Sequence, residues 1–345
     1  MTLVIILIIF LFVAVAVVLP LTLRISGKRS KAKGKGSAAA ETITSPTPPI
    51  PAVEPAPEQT ETQPALTSIE NLAATSPSLR TVAAEHEPET LPVSGERPAQ
   101  VKWRIAGLSD TGLRRELNED NLVMLEKDTP IGLYVVADGM GGHDAGEIAS
   151  DLTIKAVQYY FDEHTPADST PLNEWLKGAA VAANKVVLAQ QGDRAEERKM
   201  GSTLVMALVT EGQAHIANVG DSRAYRLTAD HIEQISTDHS LVERLVQIGQ
   251  LTREEARVHK QKNVIYSTIG DKEEMEIGLY QTNLQPGNRL LLCSDGLSGM
   301  LADEEILQLS RANPDPATAC KALVEAAKMA GGHDNITALI VEMDE

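Results

Sequence analysis

The last ~245 residues are predicted to form one α+β domain, in which antiparallel sheets are covered by long helices. Three observations support this. Twelve of the 18 prolines precede residue 101 and nine of the eleven aromatic residues follow it, so the core-forming side chains are concentrated in the C-terminal body. Within that body, apolar runs of strand length are joined by tight turns containing Gly and Asp, a pattern that favours antiparallel pairing. Two longer segments between them repeat apolar residues at helical spacing.

Trp103–Gly107 and Asn121–Leu125 read as short strands on either side of the polar, turn-rich SDTGLRRELNED. Ile131–Ala137 is a continuous apolar run, expected to be a buried strand, and it ends abruptly in Asp138-Gly139. Ala145–Phe161 and Leu172–Gln190 carry helical spacing. Ser202–Val209, Ala214–Val219 and Ala224–Leu227 are strand-like, with Gly220-Asp221-Ser222 turning between the last two. Asp238 is placed to cap a helix over Leu241–Ile248. Strands return at Gly278–Leu284 and Leu290–Cys293, helices at Glu304–Arg311 and Ala317–Met329, and Ile336–Val341 closes the chain as a strand.

The first hundred residues are different. From Thr2 to Leu23 no residue is charged, and Leu, Ile, Val, Phe and Ala dominate. About 20 such residues, rising 1.5 Å each, cross a ~30 Å hydrocarbon core. A cleaved signal peptide needs a basic stretch before a shorter apolar run of roughly 7–15 residues, and nothing basic precedes this one. Residues 1–25 are therefore expected to be an uncleaved transmembrane anchor. Arg24, Lys28, Arg29, Lys31, Lys33 and Lys35 follow directly, and basic residues beside a span stay on the cytoplasmic side. The expected topology is a single pass through the cell membrane, held by residues 2–23, with the body in the cytoplasm. Residues 26–100 contain no aromatic residue and repeat Pro, Ala, Thr, Ser and Glu. They offer too little apolar surface to offset ordering entropy and are expected to be a disordered linker spanning on the order of 50 Å. Residues 101–345 make up the folded domain.

The formal net charge is −17. Residues 1–100 hold 8 basic and 9 acidic side chains, the body 23 and 39. Phosphate backbones are bound by basic patches, so an acidic body argues against nucleic acid as a partner. Cys293 and Cys320 have neither metal-ligand nor disulfide-framework spacing.

Four strand ends or turns present Asp beside Gly or Asn: Asp138-Gly139, Gly220-Asp221, Asp295-Gly296 and Asp334-Asn335. Glu119-Asp120 adds a fifth acidic site. Any one of these alone is a common turn former. Two of them, however, end apolar runs that read as buried, IGLYVVADG and NRLLLCSDG. Carboxylates brought together at the ends of core strands repel one another unless a cation lies between them. The candidate donors are all oxygens, which suits Mg²⁺ or Mn²⁺ rather than Zn²⁺. Four or five carboxylates exceed the usual protein share of one Mg²⁺. Two ions about 3.5–4 Å apart fit better, and such a pair activates water and stabilises both oxygens of a phosphoryl transfer.

As a set, SDTGLRRELNED, VVADGMGGH, NVGDSRAYRL, TDHSLVERLVQIGQLTREEA, LLLCSDGLS and GGHDNITALIV occur in an order and spacing that resemble the metal-dependent protein phosphatases of type 2C (the PPM family) in their bacterial form. The resemblance covers roughly residues 103–343. It implies an α-β-β-α sandwich of two antiparallel sheets flanked by helices, and hydrolysis of phosphoserine and phosphothreonine in proteins by a metal-activated water, without a phosphoenzyme. Residue by residue, Arg115 matches the arginine that binds the substrate phosphate, a task suited to a guanidinium fork. Glu119 and Asp120 match the acidic pair of the first motif; Asp120 is expected to reach a metal through water, and Glu119 is a candidate to do the same. Asp138 matches the carboxylate that bridges two Mn²⁺ or Mg²⁺ ions, and Gly139 offers its carbonyl. Asp295 and Asp334 match the remaining ligands, while Asp221 with Asp295 matches a third, weaker metal site. Phosphorylated proteins are the implied partners of a monomeric catalytic domain, and a Ser/Thr kinase in the same membrane is an expected one.

Two departures stand out. Some relatives carry His directly after the Asp-Gly, where this chain has Met140; His143 lies three residues on and is not assigned as the acid. Relatives often have Arg-Ala-Leu-Gly where this chain has Ser267-Thr268-Ile269-Gly270, beside the expected flap. His215 on its alternating strand and Cys293 near Asp295 read as structural, and His239 as part of a cap or turn. Two alternatives share the site: a phosphoprotein-binding module without turnover, which would be expected to have lost an aspartate, and a hydrolase of small phosphoesters.

Overall fold

The computed structural model describes residues 103–127, 131–142, 145–166, 170–191, 199–210 and 212–343. The anchor expected over residues 1–25, the linker over 26–100 and His143 lie outside these. Among the described residues no helix is long and apolar enough to cross a membrane.

Among the described residues, eleven strands form two sheets. The first has the order β1 (Trp103–Asp110), β11 (Ile336–Met343), β10 (Arg289–Cys293), β7 (Arg223–Leu227), β8 (Ile232–Gln234). The second has the order β2 (Asp120–Glu126), β3 (Gly132–Gly141), β5 (Leu204–Thr210), β6 (Gln213–Val219), β9 (Gly278–Asn283), with the short β4 (Met200–Ser202) against the end of β3. Every paired strand runs antiparallel to its neighbour. The sheets face one another through a layer that includes Tyr134, Val136, Val205 and Ile216 of one and Leu292 and Val341 of the other.

Two helices, α1 (Ala145–Glu163) and α2 (Leu172–Gln191), cover the outer face of the second sheet, where Phe161, Trp175 and Leu176 pack with Leu133, Met206 and Leu208. On the outer face of the first sheet, α7 (Pro316–Met329) sets Leu323 and Val324 against Leu291 and Ile340. Both faces of the central strands are therefore covered, which is why Ile131–Ala137 and Leu290–Cys293 are continuously apolar instead of alternating. Full burial of one such leucine contributes roughly 1.5–3 kcal/mol. The α-β-β-α order is the one expected. The remaining helices are short: α3 (Leu241–Gln247), α4 (Arg253–Arg257), α5 (Asp295–Ser298) and α6 (Asp303–Ala312).

Three local expectations are corrected. The run Ser202–Val209 is two strands, because at Thr203 the rung from the Asp138 N–H goes to the Thr203 hydroxyl instead of a carbonyl. The cap of α3 is Ser240, whose Oγ accepts from Glu243 N at 3.3 Å. Asp238, two residues earlier, is drawn instead to the Arg223 guanidinium, with Nη2 2.7 Å from Oδ2. The departure Ser267–Gly270 is built into the body: Ile269 is buried and bridges to Ser202, and Gly270 N donates to Asn184 Oδ1 at 2.7 Å.

Candidate active site

All the acidic residues singled out from the sequence come to one end of the sandwich. Asp120 opens β2 and Asp138 lies near the end of β3, and the two are direct cross-strand partners. Like charges so placed destabilise a sheet. Asp221 lies in the β6–β7 turn, Asp295 begins α5 just beyond β10, and Asp334 precedes β11. Arg115 and Glu119 lie in the connection from β1 to β2. Each carboxylate thus sits where a core strand stops, held by an element whose position the core fixes.

Burial is the largest influence on Asp120, Asp138, Asp221 and Asp295. It raises Asp120, offset in part by two hydroxyl donors, while Asp295 and Asp334 push it further, to about 7. Asp295 is raised to about 6 by burial and by Asp334, against Lys262, Arg223 and Arg115. Asp138 is raised well above the carboxylate range by burial, then by Asp120, Asp295, Asp221 and Asp334. Asp221 is raised similarly by burial and by Asp295. Mutual repulsion therefore joins the five aspartates into one cluster. Arg115 is the positive group among them: its Nη2 is 2.9 Å from Asp334 Oδ2 and its Nη1 3.2 Å from Glu119 Oε2. Partial burial disfavours its charge, but Asp334, Glu119 and Asp138 outweigh that and raise its pKa.

The backbone is fixed tightly around these groups. Gly139 N donates to Glu119 O at 3.0 Å, and a Cβ on Gly139 would lie 2.0 Å from Gly146 O, so no other residue fits there. Gly220 turns the chain at φ 106° with Thr203 against it. The Thr203 hydroxyl accepts from Asp138 N at 2.9 Å and pairs with Ser222 Oγ at 2.7 Å, linking the Asp138 strand to the Asp221 turn. Buried His239 accepts from Gly220 N through Nδ1 at 3.3 Å, and burial lowers its pKa, so it serves this turn as a neutral acceptor. Asp120 Oδ2 accepts from Ser294 Oγ and Thr337 Oγ1, each at 2.7 Å, whereas its Oδ1 is buried with no hydrogen-bond partner.

Ser294, Thr337, Thr203 and Asn335 were not singled out from the sequence. Their signal was a hydroxyl or amide one to three residues from an acidic strand end, in CSDG, DNIT and, across the sheet, GST. Among the described residues, no three His, Cys, Asp or Glu side chains are grouped closely enough to hold one metal ion by themselves. Asp334 is turned to Arg115 and Asp120 to its hydroxyls, as repelling carboxylates turn to available donors. An all-oxygen cluster with an orphaned buried oxygen suits hard cations that keep much of their water, and Mg²⁺ is such a cation. A separate cavity of about 400 Å³ lies at the opposite end of the first sheet, lined by Arg104, Arg289, Arg311 and Glu342 among others. None of Glu119, Asp120, Asp138, Asp221, Asp295 and Asp334 lines it. Arg289 there is occupied by Glu342 and by the carbonyls of Ser310, Asn313 and Pro314, so it caps α6.

Residues 114–328 match the family model described as Protein phosphatase 2C. The chain belongs to the protein phosphatase 2C family. It is 34% identical over 235 residues to the serine/threonine phosphatase stp of Listeria innocua, covering 68% of this chain and 93% of that one. The crystal structure of the Mycobacterium tuberculosis serine/threonine phosphatase PstP/Ppp superposes with a TM-score of 0.64 at 35% identity, over 70% of this chain and 99% of that one. The catalytic domain of the phosphatase PstP in complex with two manganese ions gives 0.62 at 35% identity, with coverage of 70% and 99%. In this protein phosphatase 2C chain, the matched region carries every acidic site residue except Asp334, which lies six residues beyond it.

Proposed function

We infer that the chain is a metal-dependent serine/threonine protein phosphatase. The observation that carries this is the convergence of five aspartates and Arg115 at one end of the sandwich, where burial and mutual repulsion outweigh the positive charges of Arg115, Arg223 and Lys262. We propose Asp138, Asp295 and Asp334 as the residues that hold two Mn²⁺ or Mg²⁺ ions, with Gly139 offering its carbonyl. Glu119 and Asp120 stand behind them, and Asp221 with Asp295 serves a third, weaker site. When bound, such ions supply a nucleophilic water and neutralise charge on the transferring phosphoryl group.

The chain's own residues provide the rest. Arg115 presents two N–H groups to phosphate oxygens and exchanges its contacts with Asp334 and Glu119 for the substrate. Thr203 and Gly139 fix the Asp138 backbone on both sides, so its carboxylate does not drift as charge enters the site. Ser294 and Thr337 hold Asp120 with one oxygen turned away from them. Water adds to phosphorus, the serine or threonine oxygen leaves with a proton, and inorganic phosphate remains. His143 is not needed for that proton, since water can deliver it.

We also propose that residues 2–23 anchor the protein in the cell membrane with residues 101–345 in the cytoplasm, on the strength of the uncharged run and the basic cluster after it. A Ser/Thr kinase in the same membrane would be a natural partner, because linkage to one surface raises effective concentration.

Activity is tested by phosphate release from a phosphothreonine peptide by the purified chain with Mn²⁺. Release that chelation abolishes and Mn²⁺ restores is the expected result. Binding of the peptide without release would favour a binding module, and release only from small phosphoesters a different hydrolase. Topology is tested by protease added outside intact cells, which should leave the body uncut; rapid digestion would contradict the cytoplasmic placement.

A further inference from the structure

We propose that Asn335 is the positioning residue for the phosphate-binding arginine, a role that rests on the assignment of phosphate to Arg115 above. Arg115 lies midway along a connection of nine residues between β1 and β2 that contains no strand or helix. Its side chain is 46% exposed, and Leu113 and Leu117 on either side are exposed as well. Burial therefore does little to hold this segment, yet a bidentate phosphate ligand must be held in one orientation.

Leu113 N donates to Gly332 O and Asn118 Nδ2 to Ser109 Oγ, each at 2.8 Å, and Asn335 adds three further ties. Asn335 is 3% exposed, and both its amide N–H groups and its amide oxygen make hydrogen bonds. Nδ2 donates to Thr111 O at 3.0 Å and Leu117 O at 2.9 Å, and Oδ1 accepts from Glu119 N at 2.8 Å. The beginning and the end of the Arg115 connection are thus tied to one side chain. The backbone N of the same residue donates to Asp334 Oδ1 at 2.9 Å. Glu119 and Asp334 are the two carboxylates that hold the Arg115 fork. One residue therefore sets the segment that carries the arginine and touches both carboxylates on which its fork rests before the substrate arrives. A merely structural clip would cost stability and leave the affinity for phosphate alone, whereas a positioning residue changes that affinity and does so through Arg115.

The test uses the full chain with Mn²⁺. KM and kcat for para-nitrophenyl phosphate and the inhibition constant of inorganic phosphate are measured for the wild type, Asn335→Ala, Arg115→Ala and the double variant. Asn335→Asp is a second probe, which keeps the acceptor for Glu119 N and removes both donors to Thr111 and Leu117. Each Asn335 variant should raise KM and the phosphate inhibition constant about 10-fold while kcat stays within about threefold. In the Arg115→Ala background, Asn335→Ala should add less than about twofold, because its effect is already spent. Effects that multiply in the double variant, or unchanged KM and inhibition constants in the Asn335 variants beside a clear Arg115→Ala effect, overturn the role of Asn335. An Arg115→Ala protein that matches the wild type in both constants overturns the phosphate assignment itself, and with it any positioning through Arg115.

Discussion

Asp138 is buried, lies across the β2–β3 ladder from Asp120 and sits in the fields of Asp295, Asp221 and Asp334, so its charge is unfavourable in the absence of cations. Replacing it with the neutral isostere has consequences of opposite sign. Asp138→Asn should raise the melting temperature of the chelated protein, because one repelling charge is gone, and lower turnover by at least ~10²-fold, a usual cost of removing an electrostatic group at a reacting centre. Calorimetric melting and phosphate release check the two halves; a variant both less stable and fully active would contradict the role given to Asp138. Thr203 acts through the same residue. Thr203→Val leaves the Asp138 N–H without its acceptor, which should cost about 1–3 kcal/mol of stability by denaturant unfolding, and should lower kcat more than it changes KM.

At the scale of elements, the site exists because strands stop together. The ends of β1, β3, β6 and β10 and the starts of β2, β7 and β11 bring the 110s connection and all the aspartates to one edge. Most of this was legible in sequence, since Ile131–Ala137 and Leu290–Cys293 are apolar runs that must be buried and each meets an Asp within two residues. The part that was not legible depends on contacts across the sheet. Asp238 looked like a helix cap because Asp often is one, but a guanidinium on β7 outcompetes a cap that Ser240 can supply. Thr203 looked like one more strand residue, because nothing in a linear pattern shows that its hydroxyl faces the Asp138 amide. The hydroxyls on Asp120 are 174 and 217 residues away in sequence. Gly139 gives an element-scale test. Any side chain there meets the Gly146 carbonyl and pushes α1 from β3, so Gly139→Ala should destabilise the fold by roughly 1–3 kcal/mol or more; unchanged melting would show that α1 can yield.

At the scale of the whole molecule, the acidity that argues against a nucleic-acid partner also favours cations. Most of the −17 belongs to the body, and a buried part of that is concentrated at one end of the sandwich. Folded carboxyls such as Asp120, raised to about 7, and Asp295, raised to about 6, bind protons that the unfolded chain releases near pH 4. Their contribution to stability is fully present below pH 4 and is lost as pH rises through 6 to 7. The chelated protein should therefore melt at a higher temperature at pH 5 than at pH 8, by at least the ~2–4 °C that 1 kcal/mol represents in a domain of this size. Saturating Mn²⁺ should flatten or reverse this trend, since the cation takes the place of the protons. A chelated protein more stable at pH 8 would contradict the assignment of these shifts.

If the repelling cluster is a divalent-cation site, calorimetric titration of Mn²⁺ into the chelated chain at pH 7 will show it. Run in buffers of different ionisation enthalpy, the titration reports ions bound and protons released together. Two ions should bind with net release of protons, and Asp138→Asn should lose most of the affinity. Binding without proton release, or equal binding by wild type and variant, would show that the ions bind elsewhere.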